Sequence, residues 1–175
     1  TQDREKGEKL KRKKGDFVIF EGIHALNPDV TGMTDGIANC VYVSIRTRIK
    51  TKSGALLHPS HIRLMRRIIR DKLYRGRQPV DTLTMYNSVE RGEDLYIMPY
   101  KGRAEYNIDT FIPYELSIYK HFLQQDLLDA SGIYDDFERF ALMPKVLCEM
   151  EDIEADSVTE KSLIREFIGG SGYEY

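Results

Sequence analysis

Arg63, Arg66, Arg67 and Arg70 stand at i, i+3, i+4 and i+7, and the series runs on into Arg75-Gly76-Arg77. Four guanidinium groups on one helical face repel one another and cannot pack against a core, so the face must meet water, carboxylates or a bound polyanion. On the pattern alone two readings stay open. Either the helix is solvated, with partners in the acidic tail of the chain, or Arg67, Arg70, Arg75 and Arg77 converge on phosphate oxygens. Arginine suits the second task because its planar fork engages two oxygens at once and stays charged when partly dried.

Glu21 is the second candidate. It follows the apolar run Phe17-Val18-Ile19-Phe20, and a carboxylate just past a buried strand sits where α/β sheets bind ligands. Such an acid can hold magnesium through water, and a helix-capping role fits it equally. His58 and His61 lie at i, i+3 without a carboxylate or thiolate at ligand spacing, which makes a metal site there a minority reading. His24 reads as a packed ring or a substrate contact. No Ser-His-Asp or Cys-His context supports a nucleophilic triad, and no G-x-x-x-x-G-K-[ST] phosphate loop occurs in the 175 residues.

The elements that must position these groups follow from periodicity. Phe17–Phe20, bounded by Glu21-Gly22, predicts a buried strand, and Cys40 to Ile45 predicts a second; a third, weaker, runs around Tyr106 to Ile112. Helical pattern fills the sixty residues between the second and third. Strands separated by helices predict an α/β layer architecture with parallel pairing. Ile62, Met65, Ile69 and Leu73 form the core stripe of the arginine helix, and Pro79 starts the next one. Leu116, Tyr119, Leu123 and Leu127 mark a later amphipathic helix; Tyr134, Phe137 and Ala141 mark another, ending near Pro144. Lys9 to Lys14 reads as an edge strand or loose arm closing at a Gly15-Asp16 turn, and Gly169 to Gly172 as a terminal linker or cap.

Composition sets the bounds. Of 175 residues 41% are hydrophobic and 31% charged, which predicts one soluble domain over 1–175. No apolar run reaches the length of a membrane helix, the basic start lacks a signal-peptide core, and Cys40 and Cys148 read as buried thiols, so a cytoplasmic site is expected. The net charge of −2 conceals segregation. Residues 46–77 carry eleven Lys or Arg and a single acid, Asp71, whereas 126–166 carry twelve acids and four bases. An anion-binding middle is the lead this gives. The scattered tyrosines lack the basic and aromatic interleaving of a nucleic-acid platform.

Three segments, Val18-Ile-Phe-Glu-Gly-Ile-His-Ala-Leu-Asn-Pro28, Arg63-Leu-Met-Arg-Arg-Ile-Ile-Arg-Asp-Lys-Leu-Tyr-Arg-Gly-Arg77 and Ser162-Leu-Ile-Arg-Glu-Phe-Ile-Gly-Gly-Ser171, closely resemble the uridine kinase and phosphoribulokinase family of P-loop kinases, in particular its long bacterial branch. Ser88 to Pro99 and Tyr114-Glu-Leu116 fit the same branch. The resemblance implies the later part of a P-loop nucleoside kinase domain: an incomplete three-layer α/β fold with parallel strands, a helical lid at about 58–80 and a helical C-terminal half. By the same resemblance, the phosphate loop and the catalytic aspartate are expected upstream of Thr1, leaving no catalytic residue in the chain. Glu21 would help hold Mg2+. Arg70 and Arg75 would meet the ATP phosphates, and Arg67 and Arg77 would lie near the acceptor, a nucleoside such as uridine or cytidine. Closure of the lid would bring these charges onto the transferring phosphoryl group.

Two positions depart from the family. Met85 precedes Tyr86 where uridine kinases carry Gln, and a thioether cannot replace an amide contact to ribose; His61 stands where the long branch commonly has an acid. The family's sheet also places the P-loop strand between the strand ending at Glu21 and that at Val41 to Ile45. Either an oligomer partner or complementing N-terminal segment is therefore expected to fill that gap, or the three remaining strands arrange themselves differently. The chain by itself is expected to be inactive. The competing expectation is a non-catalytic phosphate- or RNA-binding regulatory module, recognised by strongly salt-dependent binding to nucleic acid.

Overall fold

The computed structural model describes residues 11–33 and 36–173. Besides short 3-10 turns at Met98–Arg103, Phe137–Phe140 and Ala155–Ser157, the α-helices and strands among them are helix α1 (Pro28–Thr31), strands β1 (Val41–Ser44), β2 (Ile49–Lys50) and β3 (Leu56–Leu57), helices α2 (Pro59–Arg75) and α3 (Pro79–Tyr96), strand β4 (Tyr106–Asp109), and helices α4 (Glu115–Ser131), α5 (Leu142–Glu149) and α6 (Arg165–Ile168). The architecture is mixed α/β, with β1 and β4 paired in parallel, Val41 opposite Tyr106 and Ser44 opposite Asp109. Two whole helices separate these strands, as a parallel crossover requires. Asp109 closes the carboxyl end of the pair by accepting hydrogen bonds from Arg46 N at 3.0 Å and Thr47 Oγ1 at 2.7 Å.

The core lies among the helices. Ile62, Met65 and Ile69 of α2 are buried, as their spacing predicts, together with Leu64 and Ile68. Leu116, Tyr119, Leu123 and Leu127 of α4 and Met143, Val146 and Leu147 of α5 complete it. Leu73, expected to close the α2 stripe, is instead 47% exposed.

Several expectations are corrected. Phe17–Phe20 forms no strand and is exposed, Phe17 at 97% and Ile19 at 89%; no described segment pairs with it, and a strand without a hydrogen-bonded neighbour has nothing to hold its pleat. The chain from Ile49 to Leu57 is an antiparallel hairpin, not helix. Its loop turns at Gly54, whose φ of 90° lies in the region that favours glycine. Pro144 does not end a helix; it lies in the first turn of α5, where a missing N–H costs nothing. Cys148 is exposed and Cys40 partly so, rather than buried, and neither forms a disulfide among the described residues.

The basic arm makes a turn in which Asp16 N donates to Lys13 O at 3.2 Å, with no strand over the described residues 11–14; Lys9 and Leu10 lie outside them. Gly169 caps α6 with φ 89°. No helix of the described residues is long and apolar enough to cross a membrane.

Candidate functional site: an arginine cluster on a buried carboxylate

Helix α2 starts at Pro59, where the missing N–H would have no partner anyway, with His58 Nδ1 accepting from Ser60 N at 3.3 Å. It ends at Gly76 in the left-handed conformation, φ 63° and ψ 22°. That turn brings Arg77 back toward the helix it has just left, so that Arg77 N donates to the carbonyl of Asp71 at 3.1 Å.

Asp71 is fully buried. Its Oδ1 accepts from Arg75 Nη1 at 2.7 Å, and its Oδ2 accepts from Thr82 Oγ1 of α3 at 3.2 Å. Arg67 Nε and Arg77 Nη1 each stand 3.6 Å from Oδ2, as ion pairs. One carboxylate thus gathers three guanidinium groups, and Arg75 and Arg77 keep solvent-exposed faces. The excess of positive charge, set at the end of a helix and partly dried, suits an oxyanion ligand. Arg67 Nε has no hydrogen-bond partner despite being buried, and Arg70 Nε is in the same state.

Arg70 stands apart from the group on Asp71. Its Nη1 lies 3.7 Å from Glu166 Oε1 of α6. Arg77 Nη1 also donates to Met85 Sδ at 3.6 Å, a weak contact that places the unusual methionine directly against one of the four arginines.

The other two arginines of the stripe are structural. Arg63 pairs with Glu93 through Nη2 at 2.6 and 2.8 Å. Arg66 Nε donates to Glu115 Oε2 at 2.7 Å, and its guanidinium lies 5.0 Å from the Phe167 ring centroid.

Glu21 is exposed and lines a cavity of about 450 Å3 together with Arg63, Glu93, Tyr96 and Val43; none of Arg67, Arg70, Arg75 and Arg77 lines it. Glu21 caps no helix, since α1 takes Asn27 as its N-cap. Its carboxylate makes no hydrogen bond or ion pair to another described residue and faces solvent. No group of three or more potential metal ligands occurs among the described residues.

His24 packs edge-on to Tyr96 with ring centroids 6.5 Å apart. His61 packs against Phe140 at 5.9 Å, and burial, reinforced by His58 and Arg139, pushes its pKa below the ordinary histidine value. His58 is lowered as well, first by burial and then by Arg48 and Arg63.

Sequence reasoning passed over Asp71, Thr82 and Glu166. The signal for Asp71 was present, because it is the one acid among eleven bases in 46–77. A lone acid inside such a block is either a counter-charge at the surface or a buried hub. Only the packing of α3 against α2 decides which.

A family profile described as Phosphoribulokinase / Uridine kinase family matches residues 2–116. The matched stretch takes in β1, α2, α3 and β4 and ends at the second residue of α4. No curated protein and no solved structure matches the chain.

Proposed function

Because the chain belongs to the phosphoribulokinase/uridine kinase family, we propose that it forms the lid-bearing part of an ATP-dependent phosphotransferase acting on a nucleoside hydroxyl, uridine or cytidine being the first candidates. The observation that carries this reading is the fixing of Arg67, Arg75 and Arg77 on the buried carboxylate of Asp71. A pure surface helix would spread these charges, whereas here they are held close together against their mutual repulsion.

In this reading Arg75 and Arg70 meet the nucleotide's phosphates, Arg67 and Arg77 face the acceptor, and Glu21 holds hydrated Mg2+, which neutralises phosphate charge when bound. Phosphoryl transfer asks chiefly for positioning and charge neutralisation. Arginines can supply both without taking up or losing a proton, because their guanidinium groups remain charged at any working pH. Gathering Glu21 with the four arginines requires α2 and the segment around residues 17–27 to close on the ligand, the motion expected of a lid.

The 175 residues contain no G-x-x-x-x-G-K-[ST] loop, so the chain by itself is expected to bind ATP weakly and to turn nothing over. The test is an assay of ATP-dependent phosphorylation of uridine and cytidine by the chain alone and with a segment carrying that loop supplied. Activity only in the second case supports the proposal. Turnover by the chain alone contradicts the assignment of the missing chemistry to such a segment, and no turnover in either case contradicts the kinase reading.

A second reading is favoured by the separation of Glu21 from the arginine cluster: a non-catalytic phosphate- or RNA-binding module. Its mark is binding of RNA that falls steeply with salt and that ATP does not displace.

A further inference from the structure

Long arginine side chains are poor clamps while they are free to rotate, since binding must then order them. Asp71 removes part of that freedom before any ligand arrives. Its side chain touches Arg75, Arg77 and Arg67, and its main-chain carbonyl accepts from Arg77 N, so the same residue fixes both the turn at Gly76 and the guanidinium groups on either side of it. Thr82 ties the carboxylate to α3 and stops it from following the arginines outward.

The distances are unequal, and the inequality is informative. Of the three guanidinium groups only that of Arg75 hydrogen-bonds the Asp71 carboxylate, while those of Arg67 and Arg77 are held at 3.6 Å, as ion pairs without a hydrogen bond to it. Neither guanidinium group is therefore committed to the Asp71 carboxylate by a hydrogen bond, although Arg77 Nη1 makes its weak contact to Met85 Sδ. Arg67 Nε is buried without a hydrogen-bond partner, a state that is costly to maintain and that an incoming oxyanion relieves. Three guanidinium groups on one carboxylate also leave the cluster with two positive charges in excess.

We infer that Asp71 is a positioning residue that pre-sets Arg67, Arg75 and Arg77 as a three-pronged receptor for the oxyanions of a polyphosphate. The inference rests on the proposed kinase reading and adds to it the group that arranges the arginines before binding. Asp71 contacts no ligand oxygen itself; two carboxylate and phosphate charges in contact would repel.

Electrostatics and positioning predict opposite signs, which makes the role testable. If the carboxylate acted only as a nearby negative charge, Asp71→Asn would raise the local positive potential and tighten anion binding. If it positions the arginines, the same substitution weakens binding. Inorganic tripolyphosphate is the probe, titrated calorimetrically into the chain and into Asp71→Asn, with circular dichroism melts to establish that the variant is folded.

The expected result is measurable tripolyphosphate binding by the wild type and a loss of about tenfold or more in the folded variant, the scale of a displaced charge-assisted contact. Equal or tighter binding by folded Asp71→Asn overturns the inference while leaving the kinase reading intact. Failure of the wild type to bind tripolyphosphate overturns the inference as well, whereas the kinase reading stands or falls on the turnover assay with the loop-bearing segment supplied. Should Asp71→Asn not fold, arginine side-chain NMR of the wild type decides. Restricted guanidinium rotation at Arg67, Arg75 and Arg77 before any anion is added supports positioning, and free averaging of all three refutes it.

Discussion

Arg66 Nε lies 2.7 Å from Glu115 Oε2, a contact between the middle of α2 and the first residue of α4. The pair is bidentate, with Nη2 reaching Oε1 at 3.0 Å and the Thr110 carbonyl at 2.7 Å, and Ile112 N donates to the same carboxylate. Glu115 is fully buried, and its partner's pKa is raised: burial alone would lower it, but the hydrogen bonds and charge of Glu115 outweigh that effect. Here an arginine of the stripe works for the fold, joining α2, the β4–α4 turn and the ring of Phe167.

Glu115→Ala should therefore destabilise the fold by roughly 3–5 kcal/mol, because it leaves a guanidinium charge buried without its counter-ion. Arg66→Met combined with Glu115→Leu should recover most of that loss, since the charge is removed along with its partner. Urea titration checks both, read as a shift in midpoint with an unchanged slope. A single variant within about 1 kcal/mol of wild type would show that water reaches Arg66 easily and that the pair is not a rivet.

The ion pair between Arg70 and Glu166 differs in kind. It spans 3.7 Å with both side chains more than a third exposed, 37% and 42%, so Glu166→Gln should cost less than about 1 kcal/mol in stability. It should instead tighten tripolyphosphate binding several-fold, because the carboxylate competes with ligand oxygens for Arg70. Tighter binding without a change in melting temperature is the expected signature. Unchanged affinity would mean that Arg70 lies outside the anion's reach.

How far the sequence discloses these roles depends on the range of the contacts. The α2 stripe, its stop at Gly76 and the restart at Pro79 are local, set by periodicity and backbone geometry within a few residues, and they are legible. So is the pairing class of β1 and β4, because two intervening helices leave room for a parallel crossover. What the residues do not disclose is which arginine meets which acid: Glu93, Glu115 and Glu166 lie 30, 49 and 96 positions from their partners Arg63, Arg66 and Arg70. The Ile49–Leu57 hairpin was hidden by its brevity, with two residues per strand. Phe17–Phe20 has the composition of a strand but lacks a neighbour to pair with, and composition says nothing about neighbours.

Met85 touches Arg77 at 3.6 Å, at the position where uridine kinases resemble this chain except for carrying Gln. Met85→Gln should strengthen uridine binding by about three- to tenfold, the worth of one net hydrogen bond. Equilibrium dialysis of labelled uridine against wild type and variant checks this. A variant that binds uridine no better would separate Met85 from the acceptor.

Acid should unfold the protein through its histidines before its carboxylates. His61 and His58 have folded-state pKa values below the ordinary 6.5, with burial the largest cause for each. The unfolded chain therefore takes up protons first, and stability falls as pH drops from about 6.5 through the lower folded values, being fully present above 6.5. His61→Phe keeps an aromatic ring against Phe140 and should flatten part of this slope. Melting temperatures measured between neutral and mildly acidic pH test it, and an equal slope in the variant would assign the acid sensitivity elsewhere.

The sheet carries the last expectation. Parallel strands are ordinarily covered on both faces, yet Val41, Val43, Tyr106 and Ile108 are all exposed, and β1 pairs only with β4 among the described residues. Facing β1 across the 450 Å3 cavity are Ile19 and Phe20, apolar and largely bare. An unpaired strand edge beside so much apolar surface attracts another strand, whether from a second copy or from a complementing segment. The chain should therefore self-associate as its concentration rises, with little dependence on salt because the surface is apolar rather than charged. Val43→Lys, which puts a charge into the cavity beside that edge, should return it to a monomer in sedimentation velocity without lowering its melting temperature. A wild type that stays monomeric over a wide concentration range would mean that β1 and the Phe17–Phe20 segment cover one another in solution, and that no outside strand is needed.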